Sequence, residues 1–227
     1  MRTYLHFLFF SFFVLLASGC NNGSPEEKSA AAKQPVPTEE KKPVVMKSIL
    51  FFGNSLTAGY GLQPSEAFPT LIQKKIDSLN LPYKVINAGL SGETSAGGKS
   101  RIDWLLKQPV DVFVLELGAN DGLRGIPPQS TKDNLQAIID KVKAKYPDVK
   151  IVLAGMEIPP SMGGSYAAQF RVVFRQLAEK NNLAFIPFLL EGVAGERNLN
   201  QGDGVHPTAK GQEILAENTW KVLKDVL

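Results

Sequence analysis

Three side chains set the chemistry open to this chain. His206 lies in Asp203-Gly204-Val205-His206-Pro207, and the other of its two histidines, His6, falls in an apolar N-terminal segment. Imidazole is the side chain whose ordinary pKa lets it take and return a proton near neutral pH. Asp203 can accept from one ring nitrogen, fixing the tautomer and stabilising the imidazolium that forms. Such a pair needs a nucleophile, and Ser55 stands just beyond an apolar run ending at Gly53. A serine alcohol is weak until an adjacent base removes its proton. Taken singly, Ser55 reads as a helix N-cap, Asp203 as a cap or turn residue and His206 as a surface or satisfied core position. Taken together, they fit nucleophilic attack on a carbonyl.

Attack by serine puts negative charge on the carbonyl oxygen, and donors aimed there typically contribute about 10²–10³-fold each. Three candidates are the backbone N–H of Ser55, the backbone N–H of Gly89 and the side-chain amide of Asn120. Gly89 has no Cβ to hinder a close approach, although it also suits a plain turn, and Asn120 suits a left-handed loop position.

These residues need a scaffold that brings distant segments to one edge. Five apolar runs recur: Ser48–Gly53, Tyr83–Ala88, Asp111–Leu117, Lys150–Met156 and Ala184–Leu190. Continuous Val, Ile, Leu and Phe runs suit strands covered on both faces. Between them, Phe68, Leu71, Ile72, Ile76 and Leu79 follow helical spacing. So do Leu135, Ile138, Ile139 and Val142, and so do Phe170, Val173, Phe174 and Leu177. A last helix is expected over Thr208–Val226, with Ile214, Leu215 and Val222 inward. This alternation predicts an α/β fold, a three-layer α/β/α sandwich on a five-stranded parallel sheet. Ligands of such sheets bind beyond the carboxyl ends of the strands. Gly53-Asn54-Ser55, Asn87-Ala88-Gly89, Gly118-Ala119-Asn120-Asp121 and the Asp203–His206 segment all fall at that rim.

The N-terminus reads differently. Arg2 precedes an apolar run from Tyr4 to Ala17, then Ser18-Gly19-Cys20. The run is shorter than the roughly 20 residues of a membrane-spanning helix and fits a secretory signal over residues 1–19. Cys20 directly after small residues resembles the lipobox of bacterial lipoproteins, which implies a lipidated new N-terminus. It is the only cysteine, so no disulfide can form within the chain. Residues 20–46 then hold the modified Cys and a polar, Pro- and Lys-rich tether, and residues 47–227 form one domain. The chain would be exported and membrane-anchored, on a periplasmic or outer-membrane face. Its net charge of +3 falls by one on loss of Arg2. With no basic cluster interleaved with aromatics, nucleic acid is not an expected partner.

Gly53-Asn54-Ser55-Leu56-Thr57-Ala58-Gly59-Tyr60, Asn87-Ala88-Gly89-Leu90-Ser91-Gly92-Glu93-Thr94, Glu116 through Gly125, and Asp203–Pro207 resemble, in order, the four blocks of the SGNH (GDSL-type) hydrolases. The nearest likeness is to the thioesterase I, protease I, lysophospholipase L1 and arylesterase branch. The resemblance implies the flavodoxin-like fold of that family. It implies a serine esterase acting on small ester or acyl substrates through an acyl-serine intermediate. It assigns Ser55, Asp203 and His206 to the triad, and Ser55, Gly89 and Asn120 to the oxyanion hole. Ser161, Met162, Gly163 and Gly164 resemble a substrate-side loop. No cofactor or metal is implied, and a monomer is expected. One departure stands out: Asn54 occupies the place where the family usually has Asp, which keeps the shape and loses the charge.

Other readings are a carbohydrate acetyl esterase of the same fold and a non-catalytic periplasmic binding module. Gly59-Tyr60-Gly61 lacks the third glycine of a dinucleotide fingerprint. One histidine and no thiol near the site give poor support to a metal. Glu116 and Asp121 could pair as glycosidase carboxylates, though Glu116 better suits a hydrogen-bonded strand end. Arg124 reads as a surface charge.

Overall fold

The two most apolar runs become adjacent central strands. In the computed structural model, which describes residues 45–227, β1 is Lys47–Gly53 and β3 is Val112–Glu116. Every residue of β3 and the last five of β1 are buried, as a sheet with helices on both faces requires. With β2 (Tyr83–Gly89), β4 (Lys150–Ala154) and β5 (Ala184–Ile186) they form a parallel sheet of order β2-β1-β3-β4-β5.

The helices are α1 (Ser55–Ala58), α2 (Phe68–Ser78), α3 (Ser95–Leu105), α4 (Ala119–Leu123), α5 (Pro128–Lys145), α6 (Gly164–Asn181) and α7 (Ala209–Leu223). α2 packs with α7, while α3 packs with α5 and α5 with α6. Right-handed crossovers put the first pair on one face and the other three on the opposite face. Prolines sit in the first turns of α2 and α5, where no N–H is missed, and Thr94 and Thr208 cap α3 and α7 through their hydroxyls. Phe51, Phe52, Phe113, Phe170 and Phe174 fill the layers between sheet and helices.

Several boundaries differ from the sequence reading. β5 stops at Ile186 rather than Leu190, because Pro187 has no N–H to extend the ladder. The chain instead crosses β4's end, where Gly155 donates to Ile186 and accepts from Leu189. In α7 the buried apolar residues are Leu215, Ala216 and Leu223, beside buried Gln212 and Thr219, with Ile214 and Val222 at the margin. α3 has no apolar stripe, since its buried positions are Ser95, Gly98 and Ile102. Gly98 lies against Leu117 and Phe52, leaving no room for a side chain. The expected signal segment, Cys20 and the tether up to residue 44 lie outside the described residues.

The chain runs from β1 outward to β2, then back across to β3. The strand order therefore reverses between β1 and β3, and a crevice opens at their carboxyl ends.

Candidate active site

β1 ends in Gly53 and Asn54 delivers the chain into α1. The Asn54 Oδ1 accepts from the Leu56 N–H at 2.9 Å, and Gly59 at φ 74° closes the single turn. Ser55, at the start of that turn, is 8% exposed. The His206 Nε2 lies 2.9 Å from the Ser55 Oγ, and its Nδ1 lies 2.6 Å from the Asp203 Oδ2. Serine, histidine and aspartate thus form one hydrogen-bonded line from residues 151 positions apart.

The Asp203 loop is built on its own acid. The other carboxylate oxygen accepts from the N–H groups of Val205 (2.9 Å) and His206 (3.0 Å). The His206 backbone N–H, then its ring, then the Val205 N–H hold the Asp203 carboxyl at about 2, below its usual 3.8. Gln201 fastens this loop to the chain after α1. Its N–H donates to the His206 carbonyl at 2.7 Å, and its Nε2 donates to the Tyr60 and Pro207 carbonyls. The Tyr60 ring lies 4.6 Å from the imidazole, centroid to centroid.

The oxyanion donors need one correction. The Ser55 N–H has no hydrogen-bond acceptor among the described residues. Asn120, at the start of α4, spends one amide hydrogen on the Glu93 carbonyl at 3.0 Å and keeps the second. The Gly89 N–H, however, is taken by the Asn87 Oδ1 at 2.9 Å. Gly89 lacks a side chain for another reason: a Cβ would strike the backbone of Thr57 and Ala58. The residue missed is Gly92. It sits at φ 79° in a turn closed by the Glu93 N–H and the Leu90 carbonyl, and its own N–H has no partner among the described residues. Positive φ at the third position of such a turn favours glycine, which is the signal that could have singled it out. Arg124 also joins this turn, its Nη2 donating to the Gly92 carbonyl at 3.0 Å.

Glu116 and Asp121 do not form a pair of working carboxylates. Neither lines the cavity beside Ser55, and each is bound elsewhere. Glu116 accepts from Asn54 and Thr57, whereas Asp121 accepts from the N–H and hydroxyl of Ser95 at the start of α3. Burial pushes the Glu116 carboxyl up to about 7 from its usual 4.5, against the opposing pull of those hydrogen bonds. Among the described residues no cluster of His, Cys, Asp or Glu could hold a metal ion.

A cavity of about 410 Å³ opens beside Ser55, Asn120 and His206. Its walls are mainly apolar, with Leu123, Ile158, Phe188, Leu190 and Val205 among them. The expected substrate loop is a second correction. The wall after β4 is made by Glu157, Ile158 and Pro159, and Ser161, Met162, Gly163 and Gly164 do not line it. A 3-10 turn over Pro160–Met162 carries the chain outward into α6, leaving Ser161–Gly164 exposed.

Comparison with known proteins places this geometry among ester hydrolases. Residues 51–214 match the model of the GDSL-like Lipase/Acylhydrolase family. The chain is 38% identical to Esterase TesA of Pseudomonas aeruginosa, over 80% of this chain and 90% of that protein. It is 36% identical to Thioesterase 1/protease 1/lysophospholipase L1 of Escherichia coli K12, over 79% and 85%. A crystal structure of the psychrotrophic esterase EstA from Pseudoalteromonas sp., inhibited by monoethylphosphonate, superposes with a TM-score of 0.74 at 37% identity, covering 79% of this chain and 97% of that one.

Proposed function

The chain belongs to the GDSL-like lipase/acylhydrolase family and is a serine esterase, and from that premise we propose how it works and where. The observation that carries the mechanism is the unbroken line from the Ser55 Oγ through His206 to Asp203, beside an apolar cavity. His206 takes the serine proton through Nε2 as the Ser55 Oγ bonds to the carbonyl carbon, and Asp203 steadies the imidazolium. The oxyanion accepts from the Ser55 N–H, the free Asn120 amide hydrogen and the Gly92 N–H. Collapse breaks the ester bond, the imidazolium hands its proton to the departing alcohol, and the acyl group stays on Ser55. Water, deprotonated by the same imidazole, then attacks the acyl-serine; the bond between the acyl carbon and the Ser55 Oγ breaks, the imidazolium returns its proton to that oxygen, and the carboxylic acid leaves.

The apolar cavity suits the acyl chain, so simple acyl and aryl esters, lysophospholipids and thioesters are the substrates to compare. The Asn54 departure leaves the triad line intact, since that residue caps α1 and takes no place in it. The triad and its donors all come from one chain, which supports a monomer as the working unit. Arg2, the apolar run and the lone cysteine after Ser18-Gly19 support export and lipidation at Cys20, with the domain tethered to a membrane.

The test is a rate screen across those ester classes with Ser55→Ala as control. Turnover should vanish in the variant while its thermal unfolding stays sharp. Retained turnover would contradict the assignment. Cys20→Ser should move the protein from the membrane to the soluble fraction.

A further inference from the structure

The mainly apolar wall of the cavity beside Ser55 carries one charge that the mechanism does not use. Of the described residues that line this cavity, only His206 and Glu157 have ionisable side chains, and no lysine or arginine is among them. Two of its asparagines are committed elsewhere. Asn54 accepts from the Leu56 N–H and donates to Glu116, and Asn200 donates to the Val193 and Glu196 carbonyls. Glu157 follows β4 and stands in the wall beside Ile158 and Pro159. Among the described residues its one ion pair is with Arg171 of α6, whose Nη2 lies 2.9 Å from the Glu157 Oε2. The two partners are unequally placed. The Glu157 side chain is 32% exposed, whereas that of Arg171 is 65% exposed and takes no part in the cavity wall. Water therefore screens the guanidinium more than the carboxylate, and the pair presents a net negative potential to the cavity.

We propose that Glu157 sorts substrates by charge, so that the cavity admits acyl groups whose far end is neutral or cationic and turns away those that end in an anion. The claim deepens the esterase reading and rests on it. An acyl group held at Ser55 fills the cavity with hydrocarbon and leaves little water between its far end and the wall. A charge on that end then meets the carboxylate at reduced dielectric. At an effective dielectric of about 20 and a separation of about 10 Å, the interaction of two unit charges changes affinity on the order of tenfold. A cation loses hydration on entry, and the carboxylate offsets part of that loss. An anion loses hydration and meets a like charge as well. The substrate class is therefore esters of uncharged fatty or aryl acids and of acids bearing an ammonium group, rather than half-esters of dicarboxylic acids.

The experiment compares kcat/KM for three p-nitrophenyl esters that share a leaving group and nearly share an acyl shape. They are the ester of 4-(trimethylammonio)butanoate, that of its uncharged isostere 5,5-dimethylhexanoate, and the half-ester of adipate. Each charged ester is read as a ratio to the neutral one, which cancels any loss common to all three. In wild type the adipate half-ester should be turned over at least about tenfold more slowly than the cationic ester. Glu157→Gln should lower the cation-to-neutral ratio about tenfold and raise the anion-to-neutral ratio about tenfold. Arg171→Gln, at an exposed position, should move both ratios the opposite way by about threefold. Thermal unfolding confirms that each variant is folded, and should Glu157→Gln fail to fold, Arg171→Gln decides. Ratios that stay within about twofold of wild type in the folded variants, or a wild type that turns over the adipate half-ester as fast as the cationic ester, overturn the charge sorting. Where the neutral ester is still hydrolysed, that result counts against the role of Glu157 alone. No turnover of any of the three esters by wild type counts against the esterase reading and the charge sorting together.

Discussion

Two carboxyl groups serve the same serine, Asp203 through His206 and Glu116 through the turn that carries it, and the protein holds them in opposite ways. Asp203 stands in a loop with its side chain 41% exposed, and three hydrogen bonds hold its carboxyl down at about 2. Glu116 also accepts three hydrogen bonds, yet it lies at about 7 because it is buried. The number of donors is the same, so the surroundings decide the sign. The difference shows a division of labour. The acid that must stay charged through each turnover sits where water keeps its charge cheap. The acid that holds the nucleophile turn sits in the core, where a fixed position matters more than ready ionisation.

The sharpest way to break this comparison is at the exposed end. Asp203→Asn should keep the loop and lose the correct imidazole tautomer, lowering kcat by about 10⁴-fold. Stopped-flow or steady-state ester hydrolysis checks it, and a loss under tenfold would mean that His206 is oriented by other groups. Asn120→Ala comes next, at about 10²–10³-fold in kcat with little change in KM, since the free amide hydrogen acts only on developing charge. A pure KM effect would instead make Asn120 a ground-state contact.

Stability against pH should set the two carboxyls apart. Glu116 binds its proton more tightly in the folded chain than in the unfolded one, so between about pH 4.5 and 7 the folded state holds more protons and loses stability as pH rises. The unfolding free energy of wild type relative to Glu116→Gln should therefore fall by roughly 3 kcal/mol across that window, read by urea titration. Asp203 works the other way. Its contribution is present above its usual 3.8 and is lost as pH falls toward 2. A wild-type minus Glu116→Gln difference that is flat from pH 4.5 to 7 would show that Glu116 is not held as the burial argument requires. The smallest effect belongs to the outward loop. Met162→Ala should change kcat/KM by less than about twofold, as surface substitutions do, whereas Ile158→Ala on the cavity wall should raise KM.

Much of this was legible in the residue order. The apolar runs of β1 and β3 are buried on both faces, and period and composition report that directly. Ser55, Asp203 and His206 could be named because imidazole was scarce and the rim positions followed from the alternation. What stayed hidden depended on partners far along the chain. Gly89 and Gly92 are both glycines in one short block. Only the fold shows that the Asn87 side chain consumes the first N–H and that a turn leaves the second unpaired. α3 was unreadable as an amphipathic helix because its contact face uses glycine and serine rather than leucine. The loop after β4 resembles a substrate-side loop in sequence, yet its direction is set by the 3-10 turn that follows Pro159. Glu116 could be read as a strand-end hydrogen-bonded residue, but its partners lie roughly sixty positions away and no local pattern names them.

The account turns on one bond: an imidazole-activated oxygen at position 55 that accepts an acyl or phosphonyl group. Intact-mass and peptide mapping after treatment with a fluorophosphonate ester tests it directly. A single adduct on the Ser55 peptide, lost in His206→Ala and accompanied by loss of ester hydrolysis, is the predicted result. An adduct on another residue, or full hydrolysis by an enzyme whose Ser55 is unmodified, would contradict it.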